Sequence, residues 1–302
     1  MKRFKNILAV FNDAVGDDDT LTQAAALAKR NGAQLTVAEI ISDPELSPGL
    51  IAEKKKHLHR LSASIREEGV TPDTVVLTGT PFMEIIRQVL RNKHDLVVTT
   101  AEGNGGYKNL FFGSTSLHLM RKCPCPVWVT KPDGQKGYGR IMAAIGPDSD
   151  GISENELNIK IMDLASSLAQ MNSGDLHIVN AWDVTGNDSD TLRSETTVEI
   201  RARILGKHEL LNREPVEQLL ARYDLNDLIH QLHLERGAPD FLLPKLAETL
   251  EIDLIVMGTI SRVGIPGFII GNTAELVLRQ VKCAVLTVKP EGFVTPVTLA
   301  PQ

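Results

Sequence analysis

The sequence predicts an α/β fold of two tandem domains, each a five-stranded parallel doubly wound sheet flanked by helices. Three observations carry this expectation. Short β-branched runs alternate with amphipathic segments along the chain, the pattern of parallel strands joined by helical crossovers. The stretch 253–290, DLIVMGTISRVGIPGFIIGNTAELVLRQVKCAVLTVKP, reads as strand, glycine-rich loop, helix, strand. The stretch 95–132, DLVVTTAEGNGGYKNLFFGSTSLHLMRKCPCPVWVTKP, repeats it at a fixed distance: Asp253−Asp95, Gly271−Gly113, Thr273−Thr115, Arg279−Arg121, Cys283−Cys125 and Pro290−Pro132 are all 158. An offset held without a gap over such a span marks repetition of a whole domain.

The first domain is expected over 1–132. Residues 6–11 (NILAVF) form a first buried strand, followed by a polar turn over 12–19. Leu21, Ala25, Leu27 and Ala28 share one helical face up to Gly32, a C-terminal cap. Strands are expected at 35–41, 74–77, 96–99 and 127–130. Helices are expected at 53–67, ending at Gly69, at 82–90 behind Pro81 in a favourable first-turn position, and near 116–121. Right-handed crossovers between parallel strands follow.

Residues 131–140 (KPDGQKGYGR) read as the linker, and the second domain is expected over 139–302. RIMAAI at 140–145 restarts the pattern, but Ile141−Ile7 is 134, so the second half gains 158−134, or 24, residues before the later loops. The extra length is expected at 183–214, after a second strand at 175–181, as a polar head and a helix-like tail at 198–211. Elements at 228–234, 239–250, 254–257 and 284–288 complete this half; 295–302 read as a strand or a tail laid over the surface.

A length of 302 residues suits two domains of ~100–200 residues each. A formal net charge of −6 speaks against a nucleic-acid surface, which needs an excess of Lys and Arg. The run Lys54-Lys55-Lys56 reads as a solvated helix face. No apolar stretch reaches the ~20 residues that span a bilayer, so no membrane partner is expected. The N-terminal stretch turns acidic at once and does not resemble a signal peptide, and three cysteines are too few for a disulfide framework. Cys123 and Cys125 are expected as buried thiols, and the compartment as cytoplasmic.

In an open α/β sheet, ligands lie at the carboxyl ends of the strands where connections diverge. There a glycine loop lets backbone amides approach a polyphosphate, and the following hydroxyls add donors. Gly113-Ser114-Thr115 fits that chemistry; Gly271-Asn272-Thr273 fits it with a carboxamide in place of the first hydroxyl. The alternative is that these glycines only make tight turns. His57 and His59 are two apart on a helix, and His230 and His233 three apart on a strand, so neither pair shares a face for a metal. No Gly-x-Ser-x-Gly elbow, no Gly-x4-Gly-Lys-(Ser/Thr) loop and no paired Cys ligands occur, and no acid, base or nucleophile is nominated.

The spacing Gly-x2-Gly-x9-Gly-(Ser/Thr) after the fourth strand resembles the nucleotide loop of universal stress proteins. The repeat, with GTISRVGIPGFIIGNTAELV and KCAVLTVKP ahead of a TPV tail, resembles their tandem members over nearly the whole chain. The resemblance implies an adenine nucleotide alpha hydrolase-like sheet in each half. It also implies ATP or another adenine nucleotide as ligand, with no metal beyond nucleotide-associated Mg. Carried onto this chain, the nucleotide positions are Asn12, Thr100, Gly103, Gly113, Ser114 and Thr115 in the first half. In the second they are Gly146, Ala181, Met257, Gly258, Ser261, Arg262, Gly271, Asn272 and Thr273. The chain departs from the motif at Thr100 and Ser261, where glycines are expected, and at Asn272. The family carboxylate after strand one is replaced by Asn12 and Gly146, with Asp13 and Asp148 displaced. A Cβ at Thr100 or Ser261 narrows the room for backbone approach. The Arg262 guanidinium offsets phosphate charge, which ranks the second site first.

The function expected is a cytoplasmic stress-response module that binds a small molecule, weakly if it is adenine nucleotide, rather than an enzyme. The rivals are a slow ATP hydrolase and a scaffold whose degenerate sites take another, partly apolar ligand. The segment 183–214 is expected to cover the second site. The last strands of the two halves are expected to pair antiparallel as an intrachain pseudo-dimer, flanked by Lys131 and Lys289 against further strand addition. A homodimer through helix faces is expected beyond that.

Overall fold

The computed structural model describes residues 4–11, 18–42, 47–101, 112–131, 137–146, 155–184, 187–193, 197–259 and 271–299. The first half runs β1 (Asn6–Phe11), α1 (Asp18–Asn31), β2 (Gln34–Ile41), α2 (Pro48–Glu67), β3 (Asp73–Thr78), α3 (Pro81–Asn92), β4 (Leu96–Thr100), α4 (Ser114–Lys122), β5 (Val127–Thr130). The second runs β6 (Arg140–Ile145), α5 (Glu156–Asn172), β7 (Asp175–Trp182), α6 (Asn187–Arg193), α7 (Val198–Leu220), β8 (His230–Arg236). It closes with α8 (Pro239–Thr249), β9 (Leu254–Gly258), α9 (Asn272–Leu278) and β10 (Ala284–Val288).

All ten strands share one sheet, in the order β3-β2-β1-β4-β5-β10-β9-β6-β7-β8. Within each half the pairs are parallel, as the sequence predicts. The halves meet where β5 and β10 run antiparallel, with Val129 opposite Val285, Trp128 opposite Leu286 and Val127 opposite Thr287. Helices cover both faces, so the inner strands β4, β5, β9 and β10 are near-continuous apolar runs rather than alternating ones. The outermost strands, DTVVLT and HQLHLER, keep polar, exposed residues at their ends, which blunts the free edges.

Each face has one core that crosses the seam. Ile7, Val37 and Leu96 join Leu27 of α1, Leu58 of α2, Ile161 of α5 and Val216 of α7 on one side. Leu8, Val97 and Val285 join Ile85 of α3, Leu119 of α4, Leu243 of α8 and Val277 of α9 on the other. The repeated aspartates close the strand starts: Asp95 accepts from the Lys5 and Asn6 amides at 2.7 and 3.0 Å, and Asp253 from the Arg140 amide at 2.8 Å.

Several boundaries move. α2 begins at Pro48 rather than 53, because the Ser47 hydroxyl accepts from the Leu50 amide at 3.2 Å and Pro48 suits the first turn. α7 continues to Leu220 instead of ending at 211, through Pro215, since Val216 and Leu219 are buried against the sheet. β8 starts at His230. Strand registers divide the 24 extra residues. Arg140 and Asp175 pair as Asn6 and Gln34 do, and Asp175−Gln34 is 141. Seven residues (141−134) therefore enter between β6 and β7. His177 pairs with Gln231 as Thr36 does with Asp73, and 231−73 is 158, so seventeen more (158−141) enter between β7 and β8.

Two surface expectations need correction. Lys54 is not simply solvated: its ammonium pairs at 2.5 Å with Glu39 of β2, a carboxylate buried in the sheet, which His57 also approaches at 3.3 Å. Lys289 does not guard an open edge, because its side chain is turned inward and buried. The tail carries no strand over its described residues; Val297 is buried and the Thr298 carbonyl accepts from Arg87 Nε of α3 at 3.2 Å.

Candidate functional site

A cavity of about 290 Å³ opens at the carboxyl ends of β6 and β9. These strands are neighbours whose chains leave toward opposite faces: β6 feeds α5 on one core, and β9 precedes α9 on the other. That divergence is where an open α/β sheet forms a crevice. Of the sequence-nominated residues of the second half, Gly146, Ala181, Met257, Gly258, Gly271 and Thr273 line it. Asn272 is exposed and outside the lining. Ser261 and Arg262 lie outside the described residues.

Three local devices shape the walls. Asn155 caps α5, accepting from the Leu157 and Asn158 amides at 2.7 and 3.3 Å, which aims Leu157 and Asn158 at the cavity. Asn158 then brackets Gly146: its Nδ2 donates to the Gly146 carbonyl at 2.9 Å and its Oδ1 accepts the Gly146 amide at 3.1 Å. The carboxamide thus fixes the exit of β6, beside the position from which a carboxylate is missing. Gly258 is the third device. A Cβ there would come within 2.6 Å of Leu157 Cδ2, so glycine lets the Leu157 side chain of α5 pack directly on β9 without having to shift.

The far wall is pinned to the sheet. The Gly271 amide donates to the Thr259 carbonyl at 2.8 Å, and the Thr259 amide to the Val288 carbonyl at 3.3 Å. The Thr259 hydroxyl accepts from Lys289 Nζ, which also donates to the Met120 carbonyl of α4 in the first half. Burial pulls the Lys289 ammonium down to about 7. Sequence reading missed Lys289 because a lysine just past a strand end normally reaches solvent. It missed Asn155, Asn158 and Thr259 as well, although Asn155 ahead of an apolar run is a recognisable cap signal.

The first half is built differently at the same place. Thr100 is buried, and its hydroxyl meets that of Thr20 at 2.8 Å and that of Thr130 at 3.5 Å; Thr20 and Thr130 are 2.5 Å apart. The second-half counterparts, by the offsets 141 and 158, are Ile161, Gly258 and Val288. A hydroxyl trio in one half therefore stands where the other has two apolar side chains and a glycine. Gly113 precedes α4, with Ser114 exposed and Thr115 half-buried in its first turn. Asn12 and Gly103 lie outside the described residues.

No described residue of the segment 183–214 lines the cavity. Leu192 and Ile204 instead close a satellite cluster on Trp182 and Val184 beyond the end of β7. The histidines stay apart as the spacing implies: His57 faces Glu39 while His59 is exposed. His233 has an unforeseen partner, His177 on β7, whose Nδ1 lies 3.1 Å from its Nε2; burial lowers both imidazole pKa values. Cys123 and Cys125 are buried free thiols with sulfurs 3.5 Å apart. Among the described residues no cluster of three or more His, Cys, Asp or Glu side chains could hold a metal. No helix there is long and apolar enough to cross a membrane.

The universal stress protein family model matches residues 3–131 and 138–289. Universal stress protein E of Escherichia coli (strain K12) is 31% identical over 316 residues, covering 99% of this chain and 98% of that one. A universal stress protein E homolog of Haemophilus influenzae is 26% identical over 309 residues, covering 95% and 98%. Two solved structures share the fold across both halves. One is a functionally unknown protein from Pseudomonas aeruginosa PAO1, with TM-score 0.75, 24% identity and 96% and 94% coverage. The other is a universal stress protein from Archaeoglobus fulgidus DSM 4304, with TM-score 0.63, 16% identity and 96% and 98% coverage. Two matches to one family model, relatives aligned end to end and a doubled α/β sheet agree: the chain belongs to the universal stress protein family, with its domains in tandem.

Proposed function

We propose that this protein is a cytoplasmic stress-response module that binds an adenine nucleotide weakly in its second half. The observation that carries this reading is the β6–β9 cavity, with Gly146 and Gly258 in its lining. Its volume of about 290 Å³ is near the lower end of small-molecule sites, ~300–1,000 Å³. Ile145, Ala181, Pro239 and Leu243 offer an apolar slot for the base, near Gly146. Gly258, Gly271 and Thr273 offer small or hydroxyl-bearing positions for the phosphates; Ser261, Arg262 and Asn272 are kept as phosphate contacts on the sequence resemblance alone.

The lining side chains described are uncharged: hydroxyl, carboxamide and apolar groups only. That set can hold and orient a ligand but offers no general base, which favours binding over hydrolysis. In the first half the buried Thr20–Thr100–Thr130 cluster takes the place of the glycine, and we assign that half the weaker affinity or none. We further propose domains at 1–132 and 139–302, with the β5–β10 seam making one chain an internal pseudo-dimer and two chains associating through helix faces.

Calorimetry and thermal shift with millimolar ATP and ADP test the reading. Heat and stabilisation are expected from the native chain and not from Gly271→Val, whose side chain would obstruct the amides. No heat and no shift from the native chain would sink it. Phosphate released in proportion to enzyme over long incubation would instead favour slow hydrolysis.

A further inference from the structure

The tail of the second half is seated on the first. After β10 the chain crosses to α3, where Val297 is buried in the cluster that holds Ile85, Ile86 and Val89, and Arg87 Nε donates to the Thr298 carbonyl. By the 158-residue repeat, α3 corresponds to α8, since Pro239−Pro81 is 158. The counterparts of Ile86, Arg87 and Val89 are Pro244, Lys245 and Ala247. The smaller Pro244 and Ala247 leave a groove of about 340 Å³ between α8 and the chain entering β10. Ala247, Ile252, Val281 and Cys283 give it apolar or thiol lining, and Phe241 stands at its rim, 65% exposed. Lys245 occupies the place from which Arg87 grips the tail. Glu248 on the rim is already paired with Lys282 at 3.0 Å.

We propose that this groove docks an extended, uncharged, proline-bearing segment of a partner protein, chemically like FVTPVTL at 293–299 of this chain. The argument is internal symmetry: a segment of that kind already lies on the matching helix of the first half, held by one cation–carbonyl bond and one buried valine. Lys245 supplies the equivalent donor, and the cationic rim discourages basic segments. Cys283 directly precedes β10, so the groove is continuous with the seam between the halves. One tail serves one groove, and this chain's tail is spent on α3, so the occupant comes from another protein. The groove lies at the amino ends of β9 and β10, the opposite sheet end from the β6–β9 cavity, so the proposal stands apart from nucleotide binding.

The test titrates full-length protein, ¹³C-methyl-labelled at Ala and Ile, with an N-acetylated, C-amidated peptide of sequence GFVTPVTL. Saturable shifts of the Ala247 and Ile252 methyls are expected, with the Ala144 methyl in the cavity unmoved. Ala247→Phe, which fills the groove, should weaken binding about tenfold or more. Should that variant fail to fold, Lys245→Glu at an exposed position should weaken it about three- to tenfold by replacing the donor with a repelling carboxylate. Silent Ala247 and Ile252 methyls would overturn the proposal. So would shifts confined to Ile85 and Ile86, meaning displacement of the tail, or undiminished binding in either folded variant. A concentration-dependent dimer abolished by these variants would assign the groove to a second copy and equally overturn it.

Discussion

Trp128 of β5 stands opposite Leu286 of β10 in the antiparallel seam, and both side chains are fully enclosed. Beside them the Thr287 hydroxyl donates to the Val127 carbonyl at 3.3 Å, and Tyr138 packs its ring 5.0 Å from that of Trp128. Two strands that would each be a free edge thus satisfy one another within a single chain.

Replacing Val129 by proline removes a backbone donor in β5 and introduces a ring next to the seam. A loss of about 3 kcal/mol or more is expected. In a Trp182→Phe background, Trp128 is the sole tryptophan and its emission should shift to the red as the seam opens. Unchanged emission and stability would show that the pairing contributes little.

Gly258 and Leu157 should behave as a coupled pair. Gly258→Ala places a methyl against Leu157 Cδ2, and overpacking of this kind costs about 1–3 kcal/mol. In a Leu157→Ala background the same change should cost distinctly less, a coupling of about 0.5–3 kcal/mol. Strictly additive losses in chemical denaturation would refute the contact.

Lys289 gives stability a pH dependence of known sign. Its ammonium falls from an ordinary 10.5 to about 7, so between those values the unfolded chain holds a proton that the folded chain lacks. Stability from this group therefore rises with pH across that window, and below pH 7 the buried charge imposes its full cost. Lys289→Met should stabilise by about 2–5 kcal/mol at pH 6. Near pH 10 the gain should vanish or reverse, because the bonds to Met120 and Thr259 are also lost. A native–variant difference that stays flat from pH 6 to pH 10 would rule this out.

Thr20 joins the hydroxyls of Thr100 and Thr130 in the closed first-half site. Thr20→Val keeps the shape but removes one hydrogen bond from each of two buried hydroxyls that retain others, at an expected cost of about 0.5–1.5 kcal/mol. Thermal unfolding indistinguishable from the native chain would show that the trio is not a working network.

The sequence by itself determined the doubled α/β architecture. The β-branched runs at 6–11, 127–130, 140–145 and 284–288 match strands residue for residue, because fully buried parallel strands must be continuously apolar. The constant 158-residue offset likewise placed Gly113 and Gly271 just ahead of α4 and α9, since equal spacing builds equal loops. The family resemblance nominated six of the residues that line the β6–β9 cavity.

Only the tertiary structure decided what depends on distant residues. Whether a lysine is solvated or buried is not written in its neighbours: Lys289 turns inward because Met120, 169 residues away, and Thr259 offer it acceptors. Leu157 meets Gly258 across 101 positions, so the room that glycine leaves there for the leucine side chain appears only when α5 lies on β9. The described buried residues of 183–214, Val184, Leu192 and Ile204, pack with Trp182 at the end of β7 rather than line the cavity. Local pattern sets which elements form; which side chains share a site is set by packing between elements that the chain order keeps far apart.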